Sequence, residues 1–187
     1  MAIRVAVPKE TQSGERRVAL VPSVIKQLDK LGVEILMESG AGKDSGFDDD
    51  AYQGVTVVDS ADKLYKEADV TLRVQPPTVE EAGKLKQGSV VLGFMSPHEG
   101  DTRIKTLTKN KVTSFSMELV PRITRAQSID ALSSQASIVG YKSALLAANM
   151  SPRLFPMLTT AAGTIRPSTV LVIGAGVAGL QAIATAK

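Results

Sequence analysis

Two hydrophobic periods take turns along the chain. Ile3, Val5 and Val7 fall at every second position, the spacing of a strand. Behind a polar stretch, Val24, Ile25, Leu28 and Leu31 fall at helical spacing, with Pro22 at the start and Gly32 as the stop. Val33 to Met37 predicts a second strand. The connection Ser39-Gly40-Ala41-Gly42 then leads past Phe47 and the trio Asp48, Asp49 and Asp50 to a short strand over Val55 to Val58. Ser60 is placed to cap a helix holding Leu64 and Ala68, and Val70 to Val74 predicts the next strand. Thr78, with Glu81 three residues on, has the form of a capping box. Val90 to Phe94, a helix through Ile104 and Leu107, and Val112 to Met117 complete the series.

Strands separated by helical stretches of roughly 10–15 residues imply right-handed crossovers and a mostly parallel sheet covered on both faces. The expected fold is therefore α/β, a doubly wound, Rossmann-like amino-terminal domain over residues 1–132. The segment Pro121 to Asp130 is polar and lacks a clean period, which predicts a surface loop. Beyond it Ile138, Tyr141, Leu145 and Ala148 mark one face of a long amphipathic helix from about Ser133 to Asn149, ended by Pro152 and Pro156. This helix is expected to link the first domain to the start of a second Rossmann domain, the two together spanning 133–187.

Composition narrows the functional classes. Basic and acidic residues, 22 and 19 of them, are mixed along the chain, and aromatics make up only 4% with no Trp. That pattern describes a solvated surface and argues against nucleic-acid binding. Absence of cysteine excludes disulfides, thiolate metal sites and cysteine nucleophiles, and fits a reducing compartment. No apolar run approaches the ~20 residues that span a bilayer, and the amino terminus lacks a signal-peptide core, so the chain is expected to be soluble with no membrane span of its own.

The chemistry concentrates at the far end. Thr169-Val170-Leu171-Val172-Ile173 predicts a strand buried on both faces, followed at once by Gly174-Ala175-Gly176-Val177-Ala178-Gly179 and a helix-compatible run to Lys187. In a dinucleotide-binding turn each glycine has its own task. Gly174 permits the tight turn, Gly176 lets a pyrophosphate approach the backbone, and Gly179 lets the helix pack on the strand, whose neighbouring helix end faces the phosphates. The acidic residue that would hold the adenosine ribose lies ~20 residues further on, so these residues do not choose between NAD and NADP. One strand and one helix do not make a dinucleotide-binding sheet, and the chain is expected to be the amino-terminal portion of a longer functional unit.

Three segments together resemble a known family. They are Val7-Pro8-Lys9-Glu10 through Arg17-Val18-Ala19-Leu20-Val21-Pro22, Glu38-Ser39-Gly40-Ala41-Gly42 with Phe47, and Pro121-Arg122 through Arg125-Ala126-Gln127-Ser128, Asp130 and Leu132-Ser133-Ser134. The family is the one shared by alanine dehydrogenase and the alpha subunit of proton-translocating NAD(P) transhydrogenase. The third segment, Thr160-Ala161-Ala162-Gly163-Thr164 and the glycine loop resemble the transhydrogenase branch. The resemblance implies that this component carries NAD(H) and that a partner beta subunit carries NADP(H). It also implies that a membrane domain couples hydride transfer to proton translocation, with the chain peripheral on the cytoplasmic face of the membrane and paired in a homodimer. By the same resemblance Arg122, Gln127, Asp130 and Ser133 match the loop at the nicotinamide end of NAD(H).

Oxidation of an amine or alcohol needs a positioned base, whereas direct hydride exchange between two nicotinamides needs only orientation at about 3–3.5 Å. A loop of Arg, Gln, Asp and Ser suits such positioning. Where alanine dehydrogenase calls for a substrate-binding Lys the chain has Val74-Gln75-Pro76, and where it calls for a catalytic His the segment reads Met95-Ser96-Pro97, with His98 displaced ahead of Glu99 and Gly100. The plain readings are a solvated loop for His98, a dipole-compatible solvated run rather than a metal site for Asp48 to Asp50, an ion-pair partner for Arg17, and a helix-capping loop for Arg122 to Ser133. Two alternatives stand beside transhydrogenase: an alanine-type amino-acid dehydrogenase, and a non-enzymatic scaffold or dimerisation fragment.

Overall fold

A computed structural model describes residues 2–98 and 101–187, so Glu99 and Gly100 lie outside the described residues. The chain divides into two compact units, Met1–Val120 and Pro121–Lys187.

The first unit alternates strand and helix: β1 (Arg4–Val7), α1 (Pro22–Asp29), β2 (Glu34–Glu38), β3 (Thr56–Val58), α2 (Ala61–Glu67), β4 (Val70–Leu72), α3 (Val79–Lys84), β5 (Val90–Gly93), α4 (Asp101–Lys109) and β6 (Thr113–Ser116). The strands form one six-stranded sheet in the order β3-β2-β1-β4-β5-β6, every pair parallel. This is the doubly wound arrangement that the alternating periods predict, with the chain reversing direction between β1 and β4. The two faces separate by strand alternation. Ala6 and Val91 join Leu64, Tyr65, Ala82, Leu85 and Leu107 in one core, while Val7, Ile35 and Met37 join Leu20, Ile25 and Tyr52 in the other.

Local signals act as their chemistry dictates. Thr78 and Glu81 form a reciprocal capping box, with Thr78 N donating to Glu81 Oε2 at 2.8 Å and Glu81 N donating to Thr78 Oγ1 at 3.2 Å. Ser60 occupies the N-cap of α2 but makes no side-chain cap hydrogen bond. Asp49 accepts from Ser39 Oγ and Gly40 N, both at 2.8 Å. Its carboxylate thus ties the Ser39–Gly42 connection to the acidic trio. Gly42 is required by Tyr52, whose hydroxyl would overlap any Cβ there.

The second unit holds the 3-10 stretch Thr124–Ile129, α5 (Ala131–Met150), a hairpin of β7 (Leu158–Thr160) and β8 (Gly163–Ile165), and α6 (Val177–Ala186). Three expectations need correction. The segment Pro121 to Asp130 lies at the surface as expected but is not loop throughout, because Thr124–Ile129 winds into a 3-10 helix over a buried Ala126. The stripe Ile138, Tyr141 and Leu145 is exposed, and α5 instead buries Gly140 and Ala144. The run Thr169–Ile173 belongs to no sheet, and Leu171 and Ile173 are 84% and 93% exposed. A buried strand needs neighbours for its hydrogen bonds and both its faces. In this unit β7 and β8 pair only with each other.

Candidate functional site

The glycine loop sets the geometry of one cleft of the second unit. Gly174 sits at φ +100°, a conformation that side chains rarely adopt, and turns the chain sharply out of the extended run. Gly176 is the N-cap of α6 in extended conformation, and space is open where its Cβ would lie. Gly179 is pressed against the preceding turn: a Cβ there would overlap the Gly174 carbonyl oxygen and come within 2.9 Å of its carbon. The first-turn amides of α6 have no carbonyl one turn earlier to bind, so the loop presents donors and a positive helix end without a side chain in front of them.

These glycines share a cleft of about 340 Å³ with Arg122, Leu132, Ser133, Ala136, Ile173, Val177 and Ala178. The volume is in the range of small-molecule sites, roughly 300–1,000 Å³. Two of the four loop residues singled out from sequence, Arg122 and Ser133, therefore line the same cleft as the glycine turn. Asp130 stands behind them as the N-cap of α5, accepting from Ser133 N at 2.9 Å and from Ser133 Oγ at 2.6 Å. Those bonds, with the positive charge of Arg122 as a lesser contribution, hold the Asp130 carboxyl below its ordinary range. Because the Ser133 hydroxyl donates to Asp130, its lone pairs remain to accept from a ligand. Gln127 and Ala175 are exposed and do not line the cleft. Leu132 lies within the third family-like segment and Ile173 within the predicted strand, neither of them marked for the site, and Ala136 carries no motif at all; the three give the cleft its apolar wall.

A dinucleotide fits this donor set. The glycine turn and helix end suit a diphosphate, the Leu132, Ala136 and Ile173 wall suits a ring face, and Arg122 and Ser133 supply a forked donor and an acceptor.

In the first unit the corresponding carboxyl edge of the sheet is filled by side chains. Arg73, just past β4, has a side chain only 1% exposed and pairs with Glu81 at 2.9 Å and Glu10 at 3.6 Å, while its Nη1 donates to Tyr65 Oη at 2.8 Å. Burial raises the Tyr65 phenol well above its usual range. Glu10 accepts from Val74 N at 2.6 Å and Gln75 N at 3.2 Å. The Gln75 carboxamide donates to Glu15 at 2.6 Å, and Arg17 pairs with the same carboxylate at 2.6 Å. Arg17 is thus in an ion pair. Ser96 is held at φ +43° by Glu118, which accepts from the amides of Met95 and Ser96 at 2.9 and 2.5 Å, and His98 is exposed in the following turn. Among the described residues no His, Cys, Asp and Glu cluster is arranged to hold a metal, and no helix is long and apolar enough to cross a membrane.

A doubly wound α/β domain followed by a glycine turn at the start of a helix places the chain in the doubly wound α/β class, and the comparisons specify its family. The chain belongs to the alanine dehydrogenase/PNT family: residues 6–139 match its N-terminal domain and residues 143–187 its C-terminal domain. It is 45% identical to an NAD(P) transhydrogenase subunit alpha chain of Rhodospirillum rubrum, over 99% of this chain and 50% of that one. Alanine dehydrogenase of Mycobacterium tuberculosis is 29% identical, over 96% of this chain and 49% of that protein. A crystal structure of transhydrogenase from Sinorhizobium meliloti superposes with a TM-score of 0.93 at 43% identity, covering 98% of this chain and 55% of that one. The chain spans about half the length of the curated relatives it matches.

Proposed function

We propose that the chain supplies the nicotinamide end and the first phosphate turn of an NAD(H) site in a proton-translocating NAD(P) transhydrogenase. Hydride would pass between NAD(H) here and NADP(H) on a partner beta subunit. One observation carries the reading: Arg122 and Ser133 line the same cleft as Gly174, Gly176 and Gly179. The greater identity to a transhydrogenase subunit than to an alanine dehydrogenase supports it.

When bound, the two nicotinamides supply the hydride chemistry. The chain's own residues orient and exclude. The α6 amino end and its glycines hold the diphosphate, and Arg122 donates through its fork to the ring's carboxamide or ribose oxygens. Ser133, its hydroxyl proton committed to Asp130, accepts from an amide N–H. Asp130 acts through Ser133 and Gln127 reaches outward toward the incoming dinucleotide. No general base is required, which agrees with an exposed His98 and with Gln75 bound to Glu15. On this reading residues 1–132 form the scaffold domain and 133–187 the start of the nucleotide domain, the assembly is a homodimer, and the chain sits at the cytoplasmic membrane surface through the partner's membrane domain.

The test replaces Arg122, Gln127 and Asp130 together by alanine in the subunit assembled with its NADP-carrying partner. Hydride transfer to an NADP(H) analogue is expected to fall by about 100-fold or more, because loss of alignment alone has that cost. Full turnover in the triple variant sinks the proposal. Turnover of alanine or pyruvate with NAD by the unsubstituted protein transfers the reading to an amino-acid dehydrogenase.

A further inference from the structure

We infer that Gly140 is a positioning residue: it sets the separation between the two walls of the cleft, and through it the placement of the α6 amino end. The inference rests on the reading of that cleft as a dinucleotide site. One wall is carried by α5, which contributes Leu132, Ser133 and Ala136; the other is the glycine turn and the first residues of α6. Two turns further along α5, Gly140 is buried, and a Cβ added to it would overlap the Ala178 carbonyl oxygen, lie 2.9 Å from the Ala178 carbonyl carbon and 2.9 Å from Gln181 Cβ. Two of those atoms are backbone, so they move only with the helix. Ala178 is itself a cleft residue, two positions past the N-cap Gly176. A methyl group at 140 therefore pushes the first turn of α6 away from α5, and with it the amides that would face a diphosphate.

Glycine in the middle of the 20-residue α5 weakens that helix relative to alanine. The close approach to Ala178 is what the glycine permits. Leu132, Ala136, Gly140 and Ala144 repeat every fourth residue, one ridge along α5. The ridge leads from the cleft wall to the contact that fixes the wall's distance from α6.

The test compares Gly140→Ala with Ala144→Gly. Ala144 is buried one turn further along the same ridge and is not among the residues that line the cleft, so its loss weakens the packing without crowding the α6 amino end. The chain has no cysteine, so Lys142→Cys and Leu180→Cys accept a pair of spin labels at exposed sites. Gly140→Ala is expected to lengthen the labelled distance by about 1 Å, as side chains at a helix contact set interaxial separation. In the assembled enzyme it is expected to weaken NADH binding about tenfold, whereas Ala144→Gly stays within about twofold. An unchanged labelled distance, NADH affinity equal to the unsubstituted protein, or equal weakening by Ala144→Gly overturns the inference. If the unsubstituted assembly takes no NADH, the reading of the cleft has failed, and the distance alone decides the role of Gly140. Should Gly140→Ala not fold, Gly140→Ala with Gln181→Gly removes one of the clashing carbons and is read the same way.

Discussion

The carboxyl edge of the six-stranded sheet and the amino end of α6 are both places where a nucleotide-binding fold can open a crevice, and the chain treats them in opposite ways. At the first, where the strand order reverses between β1 and β4, the side chains of Glu10 and Arg73 enter from the two sides and neutralise each other in the interior. At the second, Gly174, Gly176 and Gly179 leave backbone alone, and the nearest side chains are those of small or apolar residues with Arg122 and Ser133. A crevice at the topological switch of a doubly wound sheet therefore does not by itself make a site. Space is kept where glycine and alanine stand and lost where a long charged side chain has its own counter-ions within reach.

The strongest way to break this contrast is to empty the filled crevice. Arg73→Ala leaves the buried Glu10 and the half-buried Glu81 without their cation. Each keeps backbone donors, from Val74 and Gln75 to Glu10 and from Thr78 to Glu81. The expected loss is about 3–5 kcal/mol, read as a lowered urea midpoint for the first unit. A change under about 1 kcal/mol means that the arginine fills space without stabilising it. The Arg73 Nε already lacks a hydrogen-bond partner among the described residues, which limits what the network contributes.

The difference between the units also governs what can be read from sequence. In the first unit alternating Val, Ile and Ala positions and capping residues carry the fold locally, and strands, helices and the Thr78–Glu81 box lie where the pattern puts them. Nothing local, however, tells that Glu10 and Arg73, 63 positions apart in the sequence, meet and fill the crevice. In the second unit the glycine turn is legible because each glycine answers a backbone demand. The stripe Ile138, Tyr141 and Leu145 misleads, since large apolar residues mark a buried face only where a partner covers them. The ridge Leu132, Ala136, Gly140 and Ala144 is present at equal periodicity, yet small residues score low on hydrophobicity although they let helices approach most closely. Arg122 and Ser133 stand out only through family resemblance, and their chemistry alone suggests a helix cap, a part Asp130 does take.

Acid sharpens the comparison. Arg17, aided by Gln75 against the opposing effect of burial, pulls the Glu15 carboxyl from 4.5 to about 2. A depressed carboxyl contributes stability that is complete above its unfolded value and disappears as pH falls from 4.5 towards 2. Glu15→Gln is expected to cost the first unit about 2 kcal/mol at neutral pH, discounted for the solvent exposure of Arg17, and almost nothing near the bottom of that window. Thermal melts across the range test it: parallel curves for the two proteins mean that Glu15 is not the acid-sensitive link. The Asp130 carboxyl is lowered as well, chiefly by its hydrogen bonds with Ser133, so the second unit carries an acid-sensitive link of its own at the start of α5.

The smallest effect concerns backbone strain, which the units again handle differently. Ser96 lies at φ +43° although it is not glycine, whereas Gly174 at φ +100° is. Two opposing quantities decide Ser96→Gly. Releasing a non-glycine residue from the left-handed region returns about 1 kcal/mol, while the extra freedom of glycine in the unfolded chain removes roughly 0.5–1 kcal/mol. The Ser96 amide that Glu118 holds is retained in glycine. The net gain is therefore expected to be below about 0.5 kcal/mol, a rise of at most a few degrees in the melting temperature of the first unit. For Gly174→Ala the two quantities change sign: the stiffer unfolded chain favours alanine by roughly 0.5–1 kcal/mol, but φ +100° lies outside even the left-handed well that serine tolerates, so the strain prevails and the second unit should lose about 1–2 kcal/mol. If Ser96→Gly instead destabilises by more than about 1 kcal/mol, strain is not what distinguishes that turn, and the serine hydroxyl has a partner that keeps the loop in place.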